Sequence, residues 1–520
     1  IILWIYGGGP ARYDQPSVFD VSIVIGGYTF PIWRLVLIIV GIVAFVAIWW
    51  LIEKTNVRAI IRSGMDDREM AVGLGLNYRF ICSAVFALGA FMGGFAGSMA
   101  TPVLGIVFSM SMQVLLYALI VVVVGGTGSI TGTMIGALLI GIVDAFGKAF
   151  FPDFAMFTIY IVLIIMLAAK PAGIMGRAYS SIQNLPSEAK GVNPVQITYT
   201  SAKPIIKFIP YIIGGLFFII LPPVMPSYLQ GMLTKALIFA VFATSLNLIW
   251  GYTGLISLGH AAYFGVGAYT SAILIVRFGI ENFWISATAS IVAAGLLAAI
   301  FGVIALRVSG LYFLLVTMAL GQLVYSASIS WRSITGGVNG IFGMGWPDLG
   351  ISGFVWNGTY FYYFVLVVSF ICFFLLYRIL NSPFGHALQG IRDDELRMRC
   401  LGYNTWLHKY IVFIIAGTFA GVAGVFFSYF LGVVGPPQVG IATSTLVLLM
   451  IIIGGTRLFW GPIVGAVIVV LMEYFVSLYL PARWPLILGA VFVISVTFFR
   501  GGIAIYLVKF WNKVTAKWMH

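Results

Sequence analysis

From about residue 32 to residue 499 the chain alternates long apolar runs with short polar breaks. A helix needs about 18 or more apolar residues to cross the hydrocarbon core of a bilayer. Fifteen runs approach or meet that length: 32–52, 80–100, 110–125, 132–150 and 155–169, then 208–225, 232–250, 257–276, 283–306, 311–330, 360–380, 410–430, 441–455, 461–480 and 484–499. The pattern predicts an all-α polytopic membrane protein with about 15 transmembrane helices in a lipid bilayer. The shortest runs, such as 441–455, are compatible with re-entrant segments.

Composition agrees: of 520 residues, 61% are apolar and 8% charged. The net charge of +13 raises the question of nucleic acid, but the basic residues sit in short loops and form no continuous stripe. No nucleic-acid partner is expected. If residues 1–31 lie outside, alternation puts 21 Lys and Arg residues on the inner side and 7 on the outer, the bias of a cytoplasmic interior. Cys82, Cys372 and Cys400 have neither paired nor metal-ligand spacing, so no disulfide framework or zinc site is expected. The chain opens on Ile1 and a polar, Gly-rich stretch that resembles neither a signal peptide nor the start of a membrane protein. An N-terminal part is expected to be missing.

An internal repeat organises the whole. RSGMDDREMAVGLGLN (62–77) matches QGIRDDELRMRCLGYN (389–404) at a constant offset of 327, pairing Asp66 with Asp393, Asp67 with Asp394, Gly75 with Gly402 and Asn77 with Asn404. The register continues through Phe86 and Phe413 to Gly94, Ala96 and Gly97 opposite Gly421, Ala423 and Gly424. After a two-residue shift, GGTGSITGTMIGA (125–137) matches GGTRLFWGPIVGA (454–466), and Asp144 falls opposite Glu473. Both copies share one orientation across the membrane, so the duplication is parallel, unlike the inverted repeats common in secondary transporters.

Each paired inner loop carries an acid cluster, Asp66, Asp67 and Glu69 or Asp393, Asp394 and Glu395, with Gly75 or Gly402 nine residues after the first Asp. A short charged helix closed by Gly would lie on the inner membrane surface and could dock in a partner's groove; a solvated loop of mixed charge is the plainer reading. Elsewhere, glycines at 251, 254, 259, 265 and 267 surround Ser257 and His260. Such density permits close backbone approach or an unwound stretch. Asn247, Ser257 and His260 therefore either line a translocation path or hydrogen-bond helices together. On the outer side, Thr335, Gly336, Gly337 and Asn339 form either an outer gate or docking loop, or a turn. Asp144 and Glu473 are expected near outer helix ends, solvated or in contact with a partner. Glycines 94, 97, 421 and 424 read as helix-packing positions.

No G-x-x-x-x-G-K-[ST] segment exists, since Gly147-Lys148 lacks both the upstream glycine and the Ser or Thr. There is no nucleophile elbow, no HExxH and no His-rich cluster. Neither enzymatic activity nor a cofactor is expected, and any ATP hydrolysis must come from a partner.

The inner loops, together with SLNLIWGYTGLISLGHAAYFGVGAYT (245–270), LRVSGLYFLLVTMALGQ (306–322) and TGGVNGI (335–341), closely resemble the branched-chain amino acid ABC permeases. Residues 207–520 are similar to a complete LivM-type subunit. Residues 1–177, closing on KPAGIMGR (170–177), are similar to the C-terminal part of a LivH-type subunit, with 178–206 as a cytoplasmic linker. The resemblance implies a type II-like ABC importer membrane domain in the bacterial inner membrane. The two loops would act as coupling helices on two cytoplasmic ABC ATPase subunits, and a periplasmic substrate-binding protein would deliver branched-chain amino acids. Urea, amides or other small carboxylates remain open within that class; an ion-coupled secondary transporter would instead require buried acids near mid-membrane. The chain departs from the family in joining two normally separate subunits and in lacking the first helices of the LivH-like one.

Overall fold

In a computed structural model, residues 21–176 and 218–516 are described, apart from positions 26, 58, 62–67, 76, 107–109, 127, 153–154, 171–172, 221, 352–354, 457, 481–483 and 499–500. The first part holds a hairpin of β1 (Ser22–Ile25) and β2 (Tyr28–Pro31), then α1 (Ile32–Glu53), α2 (Arg68–Gly73), α3 (Tyr78–Leu104), α4 (Met110–Gly125), α5 (Ile130–Phe150) and α6 (Ala155–Ala169). The second holds α7 (Ser227–Thr253), α8 (Ala261–Ala272), α9 (Phe283–Ala305), α10 (Leu311–Ser330), α11 (Arg332–Thr335), β3 (Ile341–Phe342), α12 (Gly358–Leu380), α13 (Pro383–Asp393), α14 (Glu395–Cys400), α15 (Thr405–Leu431), β4 (Val433–Val434), α16 (Ile441–Gly454), α17 (Gly461–Tyr479), α18 (Trp484–Phe498) and α19 (Ile503–Ala516).

The fold is all-α and polytopic, as the apolar runs predict. Among the described residues, 10 helices are long and apolar enough to cross a membrane, and shorter apolar helices occupy Val114–Gly125, Phe157–Leu167, Ala261–Arg277 and Leu486–Phe498. The expected span at 208–225 and the linker 178–206 lie largely or wholly outside the described residues. One span differs from expectation: residues 257–276 become helical only at Ala261, and a short π-helical turn follows at Ile273–Arg277.

The chain forms two compact units, residues 1–139 with 172–177 and residues 140–171 with 178–520. Each carries the same set of close backbone contacts, and glycine is what permits them. In the first unit, a side chain on Gly125 would collide with the Gly132 carbonyl, one on Gly136 would approach the Val121 carbonyl, and one on Gly173 would run into Gly126. In the second, Gly454 meets the Gly461 carbonyl, Gly465 the Met450 carbonyl and Gly502 the Gly455 backbone. Every one of these pairs is displaced by 329 residues, so the repeat is present in the backbone contacts of each unit and extends past the aligned motif to Gly173 and Gly502.

The core of the second unit is α7. A helix that is apolar on all sides is either buried in protein or faces lipid, and every residue from Met232 to Ile249 except Lys235 is buried. It is packed by α12, α15, α16 and α17. Alongside, α15 meets α8 and α9 through small residues: a side chain on Gly417 would strike Ala298, one on Gly421 Ala294, and one on Gly424 the Phe264 carbonyl. Phe242 and Phe264 stack beneath this crossing with ring centroids 4.5 Å apart, and the Phe239 ring lies tilted beside both. At one end, Ile341 pairs with Val434 and Phe342 with Val433, tying the loop after α11 to the loop after α15. Gly94 and Gly97, expected to pack helices, have nothing within 4 Å in the space a side chain would take.

Gly424→Ala should therefore destabilise the second unit by about 1–3 kcal/mol through overpacking. Gly231→Ala, whose added methyl would meet only the Phe430 ring at 3.9 Å, should leave the unfolding midpoint in detergent unchanged or raised.

Candidate functional site

Two groups of residues carry the chemistry in the second unit: a surface loop between α12 and α15, and a buried polar set around the break between α7 and α8.

The loop begins with a well-capped helix. Ser382 accepts from the Gly385 amide, and Pro383 occupies the first helical position of α13. Asp394 then breaks the chain direction and starts α14 by accepting from the Arg397 amide at 3.0 Å. At its far end Gly402 takes a positive φ of 87°, its amide bonding the Arg399 carbonyl and that of Tyr403 the Met398 carbonyl. Asn404 next caps α15 by accepting from the Leu407 amide at 3.1 Å. The first unit repeats this terminal geometry, with Gly75 at a φ of 83° and Asn77 accepting from the Phe80 amide at 3.2 Å. Gly and Asn thus recur in the two loops because one ends a surface helix and the other begins a span. Asp66 and Asp67 lie outside the described residues, and Glu69 is placed within α2.

Glu395 is the hub of the second loop. Its carboxylate accepts from Lys409 at 2.5 Å, from Arg399 at 2.7 Å and from Thr405 at 3.0 Å, pinning α14 to the first turn of α15. Partial burial alone would raise its pKa, but the Lys409 and Arg399 charges and the three hydrogen bonds outweigh burial and hold it below the usual carboxylate value. Arg392 and Asp393 form a second pair at 3.0 Å, and Arg392 also donates to the Gly251 carbonyl at the end of α7, at 2.5 Å. Lys409, Thr405 and Arg392 escape a reading of the acid cluster alone, because each is paired with it through the fold.

At the break, α7 ends on Gly254 with a φ of 76°, and the Leu255 amide reaches back to the Ile249 carbonyl. The chain then runs without helix to Ala261, whose amide donates to Ser444 at 2.9 Å. The non-helical stretch packs tightly on α10, with Gly259 against the Thr317 carbonyl, where no side chain fits. His260 is fully buried, stacks on Phe242 and places Nε2 2.9 Å from Ser245 Oγ. The Ser245 hydroxyl hydrogen goes to the Phe242 carbonyl at 2.7 Å. His260 Nε2 and the Ser245 hydroxyl thus share one hydrogen bond, and Nδ1 is left with no protein partner. Asn247 Oδ1 and Ser257 Oγ are likewise buried and unpartnered. Of the three candidate residues, Asn247 is on α7 and Ser257 and His260 are in the non-helical break. Asn247 stands two positions from Ser245, nearly on the opposite side of α7, and faces Gly251 and the Thr456 carbonyl instead of His260.

The outer-loop residues form a locked turn. Thr335 Oγ1 lies 2.7 Å from the carbonyls of both Ser328 and Trp331, and Gly336 and Gly340 press backbone on backbone. Gly337 has a φ of 63° and is buried, whereas Asn339 is exposed at the tip. The carboxylates opposite each other in the repeat are both paired with lysine. Asp144 binds Lys148 one turn on at 2.6 Å, and Glu473 on α17 holds Lys235 on α7 with both oxygens at 2.9 Å.

Helical spans arranged as two copies of one backbone pattern define a multi-pass membrane protein of duplicated construction. The chain belongs to the family described as branched-chain amino acid transport system / permease component, whose model matches residues 1–167 and 228–496. It is 30% identical over 263 residues to the high-affinity branched-chain amino acid transport system permease protein LivM of Escherichia coli (strain K12), covering 46% of this chain and 61% of that protein. It is 30% identical over 173 residues to the corresponding LivH of the same organism, covering 31% of this chain and 55% of that protein. A probable LivM of Methanocaldococcus jannaschii is 23% identical over 278 residues, covering 46% of this chain and 79% of that protein. The chain thus spans about three fifths of the length of the E. coli LivM and just over half that of LivH, and it joins a LivH-like and a LivM-like region. No solved structure matches it.

Because the folded-state carboxyl of Glu395 is held low, the stability it contributes is present above its unfolded pKa and lost as pH falls through the folded one. Hydrogen exchange of residues 395–409, corrected for intrinsic rates, should stay slow at neutral pH and accelerate on acidification below the ordinary carboxylate range. Glu395→Gln should show fast exchange throughout and no acid step.

Proposed function

We propose that this chain is the membrane-spanning component of an ATP-driven importer in the bacterial inner membrane, translocating branched-chain amino acids by alternating access. The observation that carries the reading is the braced surface helix α14, started by Asp394 and fixed to α15 through Glu395, at a position the repeat duplicates. A rigid, charged helix at the base of a span transmits displacement to that span, which is what a coupling contact to a cytoplasmic ATPase requires. Residues 1–177 are read as the LivH-like unit, 178–206 as a linker and 207–520 as the LivM-like unit. The loops at Asp66, Asp67, Glu69 and Gly75 and at Asp393, Asp394, Glu395 and Gly402 then receive two ATPase subunits.

The unpartnered acceptor at Asn247 Oδ1, with the Ser257 hydroxyl and His260 Nδ1 also free of protein partners, suits a path for a solute with donor groups, such as an amino acid ammonium. Buried polar atoms without partners cost about 1–3 kcal/mol each, a cost that a passing ligand or water would relieve. Outside, the stiff turn at Thr335, Gly336 and Gly337 with Asn339 at its tip suits contact with a periplasmic binding protein. An ion-coupled mechanism is less well supported, since Asp144 and Glu473 are both neutralised by lysines.

Reconstitution with the cognate ATPases and binding protein tests this reading. Labelled leucine, isoleucine or valine should accumulate only with ATP. Replacing Asp67 and Asp394 together with Ala should abolish accumulation while membrane insertion persists; normal uptake by that double variant would defeat the coupling assignment. His260→Phe and Asn247→Leu should each slow uptake by about tenfold or more, in keeping with polar groups at membrane depth being functional. Accumulation of urea or a small amide in preference to leucine would move the substrate within the class.

A further inference from the structure

We propose that Arg392 is a positioning residue that fixes the inner end of α7 to the surface loop and thereby keeps the Asn247 site closed. The inference rests on reading 393–395 as the coupling loop and names the route by which that loop reaches the buried path. Arg392 lies in the last turn of α13. Its Nη1 donates to the Gly251 carbonyl at 2.5 Å, while Nε and Nη2 both stand 3.0 Å from Asp393 Oδ1. Its stem packs on Gly254, where an added side chain would come within 3.1 Å of Arg392 Cγ.

Gly251 is in the final turn of α7, where carbonyls lack intrahelical donors and a cation is favourable. The planar guanidinium suits this place because it can serve the carbonyl and the carboxylate together, which an ammonium cannot do with fixed geometry. On its other side Gly251 abuts Asn247 Oδ1 and the Thr456 carbonyl, and a methyl there would collide with both. Asp393, Arg392, Gly251 and Asn247 form a continuous line of contacts from the surface to a buried acceptor without a protein partner. In the repeat register Met65 stands opposite Arg392, so the repeat does not duplicate this side chain.

The test uses the full chain in lipid nanodiscs with Cys82, Cys372 and Cys400 replaced by Ala and Asn247→Cys as a reporter. Methyl methanethiosulfonate should label the reporter about tenfold faster when Arg392→Gln is added, the scale expected of a coupling contact, and by an intermediate factor with Arg392→Lys or Asp393→Asn. Ala240→Cys, two turns further into the same buried helix, should stay unreactive in every background. An unchanged labelling rate in Arg392→Gln, or an equal rise at position 240, overturns the proposal. If Arg392→Gln does not fold, Asp393→Asn decides alone: a faster reporter supports the link and an unchanged one overturns it. In the reconstituted transporter with Asn247 intact, Arg392→Gln should also lower solute imported per ATP hydrolysed by about fivefold or more. A rise in labelling with no ATP-dependent uptake by the unaltered complex leaves the link standing and defeats the importer reading. Unchanged labelling beside normal uptake does the reverse.

Discussion

Backbone contact at glycine is the constraint on which the structure depends. In lipid, apolar side chains gain little by leaving one apolar environment for another, so helices associate through close van der Waals approach and scattered hydrogen bonds. Gly454 against Gly461 and Gly465 against Met450 hold α16 and α17 together, and Gly125, Gly132 and Gly136 do the same for α4 and α5. Gly417, Gly421 and Gly424 let α15 sit on α8 and α9. Once those crossings are set, the positions of the loop helices and of the break before α8 follow, since each is an end of a packed span.

The buried polar groups are best understood against that dry background. Gly259 packs against the Thr317 carbonyl, and the non-helical segment 254–260 places His260 beside Ser245. Non-helical backbone at membrane depth is tolerated when it is enclosed by protein or lines a watery cavity. Here the enclosure is α7, α10 and α16, with Ser444 capping the new helix at Ala261.

The spans and the repeat were readable in the sequence because both are local signals: an apolar run is contiguous, and a motif such as Asp-Asp with a later Gly and Asn keeps its spacing. The structural role of Gly402 and Asn404 was also within reach, since a C-terminal glycine and an N-terminal asparagine have fixed helical meanings. Pairings across the fold were not. Lys235 finds Glu473 at a separation of 238 residues, Arg392 finds Gly251 at 141, and Ser245 finds His260 across a turn whose path depends on Gly259. Nor is it local which neighbours Asn247 and His260 meet: they stand on opposite sides of the break, one beside Gly251 and the other beside Ser245.

The Lys235–Glu473 pair has a consequence for how the protein is made. Lys235 stands in the third turn of α7, where a charge within a span is costly until it is paired, and its counter-ion is not synthesised until α17 emerges. The flanking apolar surface of α7 is ample to carry the lysine into the bilayer, yet the helix waits there with an uncompensated charge while eleven further elements are added. The second unit is thus completed from its C-terminal side, and a nascent chain stopped before residue 461 would present quality-control proteases with a membrane helix bearing an exposed ammonium.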